Sequence, residues 1–204
     1  MTSPQAPAVT VALDLPSAQV LADRAAIIAD LQFVMDCCKR LLAELAEAED
    51  TGGGSLIQVT LWSAALVAYG RCFTTGQQFG LTTDDVRALP LQGAVLKFHR
   101  WALAQRTMLT AHPKNPADAA KVGAVLSQRR VEGIAILSPQ RVLVDGIGVR
   151  QLGGLASELA RQTAERAKRQ QDIVLADAQQ LTLDALRQLP PLTPAGPGAT
   201  GPAS

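Results

Sequence analysis

The stretch PSAQVLADRAAIIADLQFVMDCCKRLLAELAEAED, residues 16 to 50, decides the class of fold. Within it Ile27, Leu31, Val34, Cys38, Leu41, Leu42 and Leu45 recur at steps of three and four, the spacing that sets apolar side chains along one face of an α-helix. Pro16 and Ser17 supply start signals. This predicts a long amphipathic helix.

The same pattern returns on either side of short breaks. TGGGS, residues 51 to 55, ends the first helix, and LIQVTLWSAALVAYGRCFTTG follows with Leu56, Val59, Trp62, Leu66, Tyr69 and Phe73 on one face. A connection this short implies an antiparallel helical hairpin. LTTDDVRAL, residues 81 to 89, reads as a short capped helix with Thr83 at its N-cap. A third long helix is predicted over PLQGAVLKFHRWALAQRTMLTAH, with Pro90 in its first turn and Leu91, Val95, Phe98, Ala102 and Leu109 as its buried stripe.

Period and composition then change. KVGAVLS, VEGIAIL and QRVLVD are short and rich in β-branched residues, with SQRR and SPQ between them as turns, so a small antiparallel β-meander is expected at about 120 to 146. DGIGVRQLGG, residues 145 to 154, reads as a flexible strand-to-helix connection. Its glycines fit neither the dinucleotide-binding nor the P-loop spacing. Residues 155 to 189 are helical again, with a bend expected near the middle and an end at Pro190 and Pro191.

The expected fold is thus mainly α: a helical bundle of three to four long helices with a small antiparallel β-meander after the third. The bundle occupies 17 to 189 as a single domain. The Pro-, Ala- and Gly-rich ends, 1 to 16 and 190 to 204, are expected to be disordered tails. At 204 residues and 48% apolar composition the chain can bury one sizeable core.

Several function classes are disfavoured. A net charge of +1 offers no global field to gather nucleic acid, so any such contact needs a local patch. Arg161, Arg166, Lys168 and Arg169 alternate with Glu158, Glu165 and Asp172, the pattern of a solvated helix face. Cys37, Cys38 and Cys72 have neither disulfide-framework nor zinc spacing and read as packing thiols. Two histidines without clustered carboxylates give no metal site, and no cofactor motif is present. There is no signal-peptide pattern and no run of about 18 apolar residues, so a cytoplasmic protein with no membrane partner is expected. The tail composition points to a GC-rich bacterial genome.

The candidate chemistry lies in RTMLTAHPKN, residues 106 to 115. An imidazole titrating near neutrality can move a proton to or from a 2′-hydroxyl, and a guanidinium can hold phosphate charge. On a continuous helix Arg106 and His112 would stand roughly 120° apart. Pro113 pushes His112 out of the α region, so the pair can meet there, or across a dimer axis with two copies of each residue. The plain alternative makes His112 a helix-terminal residue favoured by the dipole. His99 shares a helix face with Arg106 to within about 20° and suggests, with Arg71, a phosphate-binding strip, against the alternative of a solvated face.

LWSAALVAYGRCF (61 to 73) and FHRWALAQRTMLTAHPKN (98 to 115) together resemble the core of the HEPN (higher eukaryotes and prokaryotes nucleotide-binding) helical superfamily, whose signature is R-x4-6-H. The resemblance covers about residues 56 to 115. It implies a dimerising helical bundle, active as a metal-independent endoribonuclease or as a non-catalytic RNA- or nucleotide-binding module. Arg106, Thr107 and His112 would be its catalytic residues. The chain departs from the pattern at Thr107, where asparagine, aspartate or histidine is commoner in active members. The competing expectation is a non-enzymatic helical module for homodimerisation or protein interaction.

Overall fold

A computed structural model describes residues 9–48, 56–74, 79–111, 121–128, 130–137 and 144–193. The protein is mainly helical. Its elements are α1 (Pro16–Ala48), α2 (Leu56–Arg71), α3 (Thr83–Arg87), α4 (Val95–Ala111), β1 (Lys121–Leu126), β2 (Val131–Leu137), α5 (Gly146–Gln179) and α6 (Leu183–Arg187).

Of the stripe read on α1, Ile27, Leu31, Val34, Cys38 and Leu41 lie in the core, and Leu42 and Leu45 pack against it partly buried. Two long helices cover it. The Gln58 amide nitrogen donates to the Glu44 carbonyl at 2.9 Å and Arg71 meets Asp30, so α2 runs antiparallel to α1. At the other flank Gln170 reaches the Ser17 carbonyl, Arg24 reaches the Arg166 carbonyl, and Gly153 faces Cys38, which sets α5 antiparallel to α1 along most of its length. Trp62, Leu66 and Tyr69 of α2 and Val149, Leu152, Leu155 and Leu159 of α5 complete the core. Burial of stripes of this size is the main term holding the bundle together.

The glycine-rich stretch 145 to 154 is helical rather than a connection. Asp145 is the N-cap of α5, its carboxylate accepting from the Gly148 amide at 2.7 Å. A Cβ built on Gly153 would stand 3.4 Å from the Cys38 Cβ, so the missing side chain lets α1 and α5 approach closely. Packing here outweighs the helix propensity that glycine forfeits. The last helix is continuous through its middle: α5 runs unbroken to Gln179, and the chain restarts at Thr182, whose hydroxyl caps α6 through the Ala185 amide.

Two starts move by a few residues. Thr82, not Thr83, caps α3, in a capping box completed by the Asp85 carboxylate on the Thr82 amide at 2.7 Å. Asp85 also pairs with Arg166 at 2.5 Å and ties α3 to α5. Pro90 lies outside α4, which begins at Val95 after Gly93 in the left-handed region at φ 89°. Of the stripe expected on α4, Ala102 is fully buried, Val95 and Phe98 are half-buried and Leu91 is exposed. The side chain of Leu109 lies outside the described residues.

The described part of the meander is a two-stranded antiparallel hairpin. β1 pairs with β2 in the register Val122↔Ile136 and Ala124↔Ile134, and the Ser127 amide closes the turn on the Arg130 carbonyl at 2.9 Å. Of the third expected strand, QRVLVD at 140 to 145, residues 140 to 143 lie outside the described residues, and Asp145 serves as the helix cap. The chain ends are also tied where they are described: Val11 bridges Pro191, with Ala12 and Leu192 donating to Pro190 and Thr10. Ordered backbone pairing therefore extends past both expected domain limits, 17 and 189.

Candidate functional site

Helix α4 carries His99, Arg106 and Thr107, and Arg71 ends α2. His99 and Arg106 do share a face, as a seven-residue spacing requires. That face points at α2, where His99 meets Tyr69 and Arg106 meets Gly70.

His99 is 1% exposed. Its Nδ1 shares a hydrogen bond of 2.7 Å with the Tyr69 hydroxyl, and Phe73 packs over the imidazole with ring centroids 4.6 Å apart. Burial, then the Arg100 charge, push the imidazole pKa below its ordinary 6.5. Burial, then Cys72, push the Tyr69 phenol up, so it stays protonated. The pair is a neutral polar clasp between α2 and α4. His99 is thus no member of a solvent-facing phosphate strip, because the bundle has closed over it.

Arg106 is half-buried near the end of α4. Its aliphatic stem crosses Gly70 so closely that a Cβ built there would meet Cγ and Cδ at 3.1 Å and Nε at 3.2 Å. With glycine there the stem lies flat on α2; any larger residue would push the arginine outward by a few tenths of an ångström. Arg71, next along α2, is engaged by Asp30 of α1 at 3.3 Å. The strip expected from His99, Arg106 and Arg71 is therefore split among three different partners.

Thr107 is exposed and donates its hydroxyl to the Leu103 carbonyl of its own helix at 3.1 Å, which engages its one side-chain donor. His112 follows immediately on the end of α4 and lies outside the described residues. Sequence reasoning missed the roles of Tyr69 and Gly70. Tyr69 was visible as a stripe residue, but its partner is thirty positions away and no local spacing announces it.

Other chemistries find less support. The three cysteines are buried free thiols, and burial first of all lifts Cys38 and Cys72 to about 12, the state of packing thiols rather than nucleophiles. Among the described residues no group of three His, Cys, Asp or Glu side chains could hold a metal ion, and no helix is long and apolar enough to cross a membrane.

The buried imidazole makes stability depend on pH. Its folded pKa is depressed, so the unfolded chain takes up the proton first, and stability is fully present above 6.5 and falls as pH drops from there toward the folded pKa. Urea midpoints between pH 7.5 and 5.5 are expected to decline below pH 6.5 in the wild type and less steeply in His99→Gln. A flat wild-type profile contradicts the clasp.

No family model, curated protein or solved structure matches this chain.

Proposed function

We propose that this chain is an RNA- or nucleotide-associated protein of the HEPN type, whose phosphate-facing pair is Arg106 and His112, equipped for metal-independent cleavage of RNA. The observation that carries the reading is the seat of Arg106 over Gly70. A long side chain whose stem is fixed by packing loses less freedom on gripping an anion, and a guanidinium suits a phosphate better than any other side chain. The Tyr69–His99 clasp supports it by fixing α4 on α2 just below that seat.

The chemistry follows from the residue types. The imidazole of His112 takes the 2′-hydroxyl proton, the 2′-oxygen attacks phosphorus, and Arg106 offsets the charge gathering on the phosphoryl oxygens. The 5′-oxygen leaves with a proton, so the products end in a 2′,3′-cyclic phosphate and a 5′-hydroxyl. One imidazole per chain cannot take and give a proton at once. Two copies around a two-fold axis supply the second, which is the reason to expect a homodimer.

Binding tests the reading without requiring turnover. The anisotropy of a labelled single-stranded RNA is expected to rise with wild-type protein and to need about tenfold more Arg106→Gln, the loss of one charged hydrogen-bonding group. The competing reading, a non-enzymatic interaction module, draws support from Val122, Ile134 and Ile136, which stand 66–69% exposed on the hairpin. It is the one left if wild-type protein binds no RNA or nucleotide.

A further inference from the structure

A groove of about 480 Å³ opens between the start of α4 and the first turns of α5, and Arg106 is not among its lining residues. Leu91, Val95, Phe98, Trp101 and Leu155 give it an apolar lining. Trp101 is held from two sides, by Trp62 with ring centroids 6.1 Å apart and by Phe98 at 5.3 Å, yet stays 40% exposed to the groove and solvent. Two cations stand on opposite walls, Lys97 on α4 and Arg150 on α5. No carboxylate lines this groove, and neither cation is in an ion pair among the described residues. Past Phe98 and Trp101 the apolar surface continues to Val144 and Ile147. Asp145 adjoins that extension, with its carboxylate engaged by the Gly148 amide.

We infer that this groove binds a single-chain amphiphile with an anionic head, a long-chain acyl carboxylate. Its volume falls in the range of small-molecule sites, which combine a mostly apolar lining with a few polar groups that fix orientation. A hydrocarbon tail suits the aromatic and aliphatic wall, and the positive charges of Lys97 and Arg150 select a negative head over a neutral or positive one. A nucleotide would leave most of its polar atoms against carbon. The inference is independent of the reading of Arg106.

Gly154 makes the test clean. It lines the groove, and a Cβ built on it meets nothing within 4 Å, so Gly154→Leu should fill the site while leaving the fold intact. Dodecanoate, kept below its micelle concentration, is titrated into the full chain with calorimetry and tryptophan emission as readouts. One saturable site per chain is expected, with decanoate, two methylenes shorter, about fifteenfold weaker, since each buried methylene is worth about fourfold in affinity. Gly154→Leu, with an unchanged circular dichroism spectrum and a melting temperature no lower than that of wild type, should lose binding by more than tenfold. Replacing both cations, Lys97→Gln with Arg150→Gln, should abolish the preference for dodecanoate over dodecylammonium. The inference is overturned if dodecanoate shows no saturable binding, if folded Gly154→Leu binds as wild type, or if dodecylammonium binds wild type equally well.

Discussion

Replacing Tyr69 by alanine is expected to remove about 3–5 kcal/mol of folding free energy, the range for deleting a large buried aromatic side chain. Tyr69 is fully buried, packs against Phe73 at 5.0 Å between centroids, and holds His99 through its hydroxyl. Tyr69→Phe keeps the ring and strips only the hydroxyl, leaving Nδ1 of a buried imidazole unpaired at a cost of about 1–3 kcal/mol. Urea unfolding of the three proteins at pH 7.5 measures both. If Tyr69→Phe is as stable as wild type, the clasp contributes nothing and α4 is held on α2 by apolar packing alone.

Loss of cleavage is the other large effect. On the proposed mechanism His112→Ala lowers the single-turnover rate by about 10²–10⁴, the usual contribution of a positioned general acid or base. Arg106→Ala lowers it by about 10²–10³, in line with removal of one donor to a developing charge. Thr107→Ala should stay within a few-fold of wild type, because its hydroxyl is bonded to the Leu103 carbonyl. Circular dichroism on each variant separates lost chemistry from lost fold.

Much of the bundle was legible because α1 is long and its apolar period unbroken. Ile27, Leu31, Val34, Cys38 and Leu41 were read as a buried stripe and are buried. Local signals failed where packing decides. The glycines at 146 to 154 look like a loop to any propensity argument, yet Gly153 is small because Cys38 of another helix lies against it. At α4 the start was misplaced because Pro90 is a valid first-turn residue, and the turn that excludes it depends on the backbone at Gly93.

The site was legible in residue type and not in direction. Spacing alone placed His99 and Arg106 on one face, and helical geometry gives no sign of what that face meets. It meets α2, which buries His99 against Tyr69 and seats Arg106 over Gly70. Gly70 is the residue whose meaning was least accessible, since a glycine near a helix end usually marks the end. Here it makes room for an arginine from a neighbouring helix.

The central claim is that Arg106 and His112 act on a phosphodiester, and the most direct measurement is the chemistry of RNA ends after incubation with purified full-length protein in EDTA. Mass spectrometry is predicted to find 2′,3′-cyclic phosphate and 5′-hydroxyl ends with wild type and intact RNA with His112→Ala. Intact RNA with wild type across varied sequences and structures, or equal cleavage by His112→Ala, contradicts the claim.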